Sequence, residues 1–225
     1  MRTSIIIPAL NEADSLEAVL QGLSNADVHE IILVDGGSSD DTVKIARDFG
    51  AHVLIEPRKG YGFACEAGLK HASGDVLVFM DADGANEPQQ LPELIQPLVT
   101  RKADLVLGSR LAGTITRGAM PWHQRSGNWF SARLIHSLYG CPLTDLSPFR
   151  AVNRARLLGL VIEDKTYGWP TEMLVKAILQ GWHIEEIPVN YYPRAGGKSK
   201  ISGTLRGTFY ATWHIMKVIL SNRMR

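Results

Sequence analysis

Apolar positions along this chain fall into short blocks that alternate with longer periodic stretches. "SIIIP" is a strand-like run stopped by Pro8, and "NEADSLEAVLQGL" after it places Leu16, Val19, Leu20 and Leu23 at helical spacing. Asn11 stands where a helix cap belongs, with acids in the first turn. "EIILVDGGSSDDTVKIARDFG" repeats the plan: a strand over 30–35, a Gly-Gly turn, Ser39 or Asp40 as cap, and a helix ended by Gly50. "HVLIEP" predicts a third strand, "GYGFACEAGLKHAS" a helix, "DVLVFMDAD" a fourth strand, "PQQLPELIQPLV" a helix and "ADLVLGSR" a fifth strand. Such alternation predicts an α/β fold with parallel strand pairing, residues 1–110 making a Rossmann-like half. Leu111 to Pro121, rich in Gly and Thr, predicts a mobile loop over a site. A helix from about His123 to Tyr139 follows, then "DLSPFRAVNR", a helix with Glu172 near its start, and strand-like "HIEEIPVNY".

Composition narrows the class. At 225 residues and 45% hydrophobic, the chain suits one domain with a distinct tail. Cys65 and Cys141 build neither a disulfide framework nor a zinc site, which fits a reducing cytoplasm. Met1-Arg2-Thr3 runs straight into a strand, and no apolar segment approaches the roughly 20 residues of a membrane span, so neither a signal peptide nor an integral protein is expected. Net charge is +1 but unevenly spread: Arg194 to Arg225 carries seven basic residues and no acid, on a body with 17 basic against 23 acidic. A basic tail on an acidic body points to an anionic partner such as a phosphate, a membrane surface or nucleic acid. With no RNA-binding signature, nucleic acid is set aside. No GxGxxG opens the sheet, and "GGKSK" fails as a phosphate loop because Tyr192 stands where that motif needs glycine.

Candidate chemistry gathers at strand ends. "DVLVFMDADG" drives a short apolar run into Asp81 and Asp83, and Glu12 and Asp35 follow or end two other strands. In open α/β sheets that edge is where ligands bind, and paired carboxylates there can hold a divalent cation or the polar groups of a nucleotide. Together with "IIIPALNEADSL", "ILVDGGSSDDT", "GYGFACEAGL" and "LVLGSR", this stretch resembles the family 2 glycosyltransferases of GT-A fold. "SPFRAVNR", "TEMLVKAILQGWHIEEIPV" and "RAGGKSKISGTLRGT" extend the similarity toward the polyprenyl-phosphate sugar transferases, such as dolichyl-phosphate mannosyltransferases, over nearly the whole chain.

The resemblance implies a mostly parallel Rossmann-like sheet with helices on both faces, plus a C-terminal amphipathic helix. It implies a GT-A domain over 1–193, with a nucleotide-sugar half (1–110) and an acceptor half (111–193), followed by a basic loop and interfacial helix (194–225). Pro8, Ala9 and Glu12 match the segment that cradles base and ribose, Asp35 the acid that reads the base, and Asp81 and Asp83 the Asp-x-Asp motif that holds Mg²⁺ or Mn²⁺ at the diphosphate. Arg110 and Arg150 match arginines near the sugar and acceptor phosphates, and Arg194, Lys198, Ser199 and Lys200 match a loop that closes over phosphates. Glu172 stays open between general base, organiser of arginine side chains and first-turn helix acid, with organiser ranked first because a phosphate acceptor is already ionised.

Two positions depart from the family pattern: Ala85 stands where many lipid-phosphate members carry a metal-ligating Gln, with Asn86 the nearest substitute, and Pro148 where glycine is common before Phe-Arg. Trp122, Trp129 and Trp169 read as core or lid packing, Trp169 also as an acceptor-side candidate. The implied activity is metal-dependent, inverting transfer of a hexose from GDP-mannose or UDP-glucose to a polyprenyl phosphate at the cytoplasmic membrane face. A soluble transferase using a hydroxyl acceptor and a non-catalytic nucleotide-binding module are the alternatives.

Overall fold

The structure is a computed structural model describing residues 1–196 and 205–222, with the backbone alone for 205–211. Seven strands form one sheet: β1 (Thr3–Ala9), β2 (Glu30–Asp35), β3 (His52–Ile55), β4 (Val76–Phe79), β5 (Leu105–Ser109), β6 (Arg150–Asn153) and β7 (Ile184–Pro188), in the order β3-β2-β1-β4-β6-β5-β7. Neighbours pair in parallel except around β6, which runs antiparallel to both β4 and β5. The sheet is thus mostly parallel, as expected, and the exception is "RAVN", which lies between β4 and β5 and runs antiparallel to both.

Strand side chains alternate between two apolar layers. Ile5, Ile7, Val76 and Val78 face α1 (Ala13–Leu23) and α4 (Leu91–Val99); Ile6, Leu77 and Phe79 face α3 (Tyr61–His71), α5 (Trp122–Tyr139) and α7 (Trp169–Leu179). Short helices α2 (Thr42–Asp48) and α6 (Arg154–Leu158) follow β2 and β6, and α8 (Leu205–Ser221) lies against α5 and α7, burying Val218 and Ile219. Among the described residues no helix is long and apolar enough to cross a membrane.

The strand ends are shaped by local chemistry. Pairing of β1 with β4 stops at Ile6, so Pro8, with no N–H to give, stands where no β4 ladder needs one. Asn11 does not cap α1: its φ is 51°, and its Oδ1 accepts from Ser39 N at 2.8 Å, tying the first loop to the second. Glu12 N donates to Thr42 Oγ1 (2.9 Å) and Ala13 N to Asp40 Oδ2 (3.1 Å), so the α1 start is completed from the neighbouring loop.

The segment expected to be a mobile loop is instead built onto residues 189–191. Ile115 bridges Tyr191, Thr116 N donates to Tyr191 O at 2.9 Å, and a Cβ at Gly113 would sit 2.1 Å from the Val189 carbonyl oxygen. Glycine there permits a backbone approach that a side chain would prevent.

Candidate active site

β4 ends at Phe79, Met80 N makes a last bond to Ile6 O, and the chain then turns through Asp81, Ala82 and Asp83. These acids therefore project from the carboxyl edge rather than continuing the strand, as "DVLVFMDAD" suggested. Asp83 is 4% exposed; its Oδ1 accepts from Ala85 N at 3.0 Å, and its Oδ2 meets Arg194 Nη2 at 2.9 Å. Arg194 Nη1 lies 3.9 Å from Glu12 Oε1, so one guanidinium spans two of the expected acids. The Arg194 segment is fixed by backbone bonds, Ala195 N to Asp83 O (3.0 Å) and Tyr192 N to Ala85 O (2.9 Å). Gly84, at φ 73°, leaves room for it: a Cβ there would stand 3.0 Å from Ala195 Cβ.

Burial, the nearby Asp83 charge and Glu12 push Asp81 up to about 7, against the pull of Arg194 and Arg110. Carboxylates crowded in this way favour a cation. Among the described residues no three His, Cys, Asp or Glu side chains form a ready-made metal cage. A pair of carboxylates is the donor set of a hard cation that completes its shell with phosphate oxygens and water. Asn86, buried three residues after Asp83, leaves its Oδ1 without a hydrogen-bond partner, a carbonyl of the donor type such a cation accepts. These residues fit a divalent ion.

A cavity of about 230 Å³ opens beside the acids. Asp81, Asp83, Arg110, Tyr61, Tyr191 and Arg194 line its sheet side; Gln124 and Asn128 of α5 and Thr212 and Ile215 of α8 line the other; Pro148, Tyr167 and Pro170 close it between. Arg110 is not a free cation in it. Its Nε and Nη2 make paired bonds to Asp145 at 2.7 and 2.8 Å, its backbone N a third at 3.0 Å, and its guanidinium lies 5.1 Å from the Tyr191 ring centre. Burial works against its charge, but Asp145 outweighs burial and holds the proton more firmly than usual.

The remaining expected residues divide. Pro8, Ala9 and Asp35 stand together at the adjoining edge, Ala9 in register with Asp35, outside the lining of the cavity. The Asp35 carboxylate accepts from Gly37 N (2.9 Å), Ser38 N (3.0 Å) and Ser38 Oγ, closing the Gly-Gly turn. Arg150 is fully buried and does not line the cavity; it bonds Pro170 O at 2.7 Å and Ser147 O, bracing the wall that Pro148 and Pro170 form. Burial pulls it down to about 10, and its Nε has no partner.

Glu172 also lies off the cavity lining. It accepts from Glu163 N (3.1 Å) and Asp164 N (2.6 Å) and pairs with Lys176 at 2.6 Å, organising a loop rather than arginine side chains. Trp169 is core, packed on Phe79 with ring centres 5.1 Å apart. Trp122 and Trp129 are not core: they are 75% and 58% exposed. Lys198, Ser199 and Lys200 lie outside the described residues. Residues that sequence reasoning passed over are Asp145, Tyr61 and Tyr191; "TDLSPFR" holds an acid five positions before Arg150, but its partner is 35 residues away.

Known proteins place this geometry. A model described as "Glycosyl transferase family 2" matches residues 4–159. An uncharacterized glycosyltransferase of Mycobacterium tuberculosis is 39% identical over 96% of this chain and 97% of its own length. The undecaprenyl-phosphate mannosyltransferase of Micrococcus luteus is 34% identical over 92% of this chain and 90% of that protein. Among solved structures, glucosyl-3-phosphoglycerate synthase from Mycobacterium tuberculosis, in complex with Mn²⁺, uridine diphosphate and phosphoglyceric acid, superposes with a TM-score of 0.79 at 26% identity, covering 99% of this chain and 78% of that one.

Proposed function

Because this chain belongs to glycosyl transferase family 2, we propose that it moves a hexose from a nucleotide diphosphate sugar, GDP-mannose or UDP-glucose, to a polyprenyl phosphate. The observation that carries the reading is the carboxyl edge of the sheet, where Asp81, Asp83, Glu12 and Arg194 converge beside a cavity walled by two helices. Asp81 and Asp83 would hold a divalent cation, and Mn²⁺ in the related synthase supports that metal. When bound, the cation offsets the negative charge that develops on a departing diphosphate.

The chain's own residues do the rest. Arg194, one bond from Asp83, is placed to exchange its carboxylate partner for a diphosphate oxygen and neutralise it. Arg110, locked by Asp145 and Tyr191, keeps a fixed positive wall beside Asp81. A phosphate acceptor attacks already ionised, so a single displacement with inversion needs no general base. Among the described residues the only carboxylates lining the cavity are Asp81 and Asp83, and Glu172 is committed elsewhere, which supports an acceptor of that kind.

A second reading, a small phosphorylated acceptor in solution, is favoured by the likeness to the phosphoglycerate-bound synthase. Incubation with radiolabelled GDP-mannose or UDP-glucose and Mn²⁺, offering undecaprenyl phosphate or 3-phosphoglycerate, separates the two. Label passing into the organic phase only with the prenyl phosphate is the expected result; label passing only to phosphoglycerate overturns the lipid reading.

A further inference from the structure

α5 has two faces of opposite character. One carries Gln124, Asn128 and Ser131 into the cavity wall and Ala132 and Ile135 into the core. The other, stepping by three and four residues, presents Trp122, Arg125, Trp129, Phe130 and Arg133, all exposed. Phe130 is 51% exposed, beside the two tryptophans already described. A helix lying on a soluble body normally turns charged and small polar residues outward, and monomeric proteins rarely leave contiguous large aromatics in water.

The charges on this face are one-signed and unspent. No Asp or Glu occurs between Asp104 and Asp145, and among the described residues no carboxylate pairs with Arg125 or Arg133. Those two arginines, Ser126 and Trp129 border an open groove of about 540 Å³, closed on its far side by Leu111, Leu143 and Thr144. Two free guanidiniums, the Ser126 hydroxyl and an indole are complementary to a phosphodiester with apolar chains attached, whereas Thr144 Oγ1 is already engaged by Glu186 and Ser109. α8 repeats the composition on its own exposed positions, Trp213, Lys217 and Leu220, and packs on α5 where Gly127 approaches Thr212 and Tyr139 donates to Ile219 O.

We propose that the outer face of α5 docks on an anionic lipid bilayer, with the Arg125–Arg133 groove taking a lipid headgroup phosphate. The proposal rests on the reading above that the acceptor is a membrane lipid, and adds which surface meets the membrane: the helix whose inner face walls the cavity. Tryptophan and phenylalanine enter the headgroup region, and the arginines pair with lipid phosphates at its rim.

Co-sedimentation with phosphatidylcholine vesicles, with and without phosphatidylglycerol, tests it on the full chain. The wild type is expected to bind the anionic vesicles at least about tenfold more tightly, and to be released at high salt. Arg125→Glu/Arg133→Glu should lose at least about tenfold of that affinity, and Trp129→Ser should weaken binding to both vesicle types. Both variants should keep the wild-type melting temperature, since all three side chains point into water. Equal vesicle binding by the double variant overturns the proposal. So does a wild type that ignores vesicles but forms a dimer that Trp129→Ser abolishes, which would assign the face to a second copy. Vesicle binding without transfer to any polyprenyl phosphate leaves the docking face standing and removes the functional reading. Transfer to detergent-dispersed acceptor without vesicle binding does the reverse.

Discussion

Glu30 and Asp81 stand at opposite ends of one sheet, and the fold treats their charges in opposite ways. At the amino edge Glu30 Oε1 accepts from Ser4 Oγ at 2.7 Å and from Ser73 N and Oγ at 2.8 Å. Burial opposes its ionisation, yet those bonds to Ser4 and Ser73 prevail and hold it at about 2. Asp75 and Asp104 at the same edge are engaged with Arg2 N and with Arg156 and His183. At the carboxyl edge burial and Asp83 push Asp81 up to about 7, and two arginines only partly offset them. One edge is electrostatically finished by the chain itself. The other holds carboxylates whose balance a cation and a diphosphate would complete.

Removing one charge from each edge should separate them most sharply. Asp83→Asn is expected to reduce turnover by about a thousandfold or more and to abolish the strengthening of nucleotide binding by Mn²⁺, whereas Glu30→Gln should leave both unchanged. Full activity of the Asp83 variant in chelator would erase the distinction.

Asp145→Ala should have the next largest effect, this time on stability. It leaves the Arg110 guanidinium buried and uncompensated, for which a loss of about 3 to 5 kcal/mol in a urea melt is expected. Asp35→Ala should weaken nucleotide-sugar binding by about 1.5 to 3 kcal/mol in calorimetry, the range for bonds to a charged acceptor. Unchanged affinity would confine Asp35 to closing the Gly-Gly turn.

The smallest effect compares signs. The folded value of Glu30 lies below the unfolded 4.5, so its contribution to stability is full above about pH 4.5 and fades as the pH falls toward 2. For Asp81 it lies above 3.8, so that contribution is full below 3.8 and is lost as the pH rises through about 7. In metal-free buffer at pH 8, Glu30→Gln should therefore lower stability by roughly 1 kcal/mol, while Asp81→Asn raises the melting temperature. Two variants shifted in the same direction would contradict the contrast between the edges.

How much of this was legible depends on the range of the interactions involved. β1 to β5 and the acids at their ends are written in short apolar runs closed by turn residues, so period and punctuation suffice for Asp81, Asp83 and Glu12. What was not legible depended on distant partners. Nothing local says that "RAVN" slots antiparallel between β4 and β5, that Asp145 will neutralise Arg110, or that Arg150 will spend its guanidinium on two carbonyls. Asn11 looked like a cap because the competing acceptors, Asp40 and Thr42, arrive from another loop. Trp122 and Trp129 read as core or lid packing because large aromatics are usually covered, while α5 buries its smaller residues, Ser131 and Ala132, instead.

On the proposed function, the carboxyl edge of the sheet binds a nucleotide diphosphate sugar through a cation held by Asp81 and Asp83. Calorimetric titration of GDP-mannose and UDP-glucose into the wild type, once with Mn²⁺ and once with chelator, is the decisive measurement. One of the two should bind with Mn²⁺ and lose most of its affinity in chelator; equal affinity in both buffers, or binding of neither donor, would overturn the assignment.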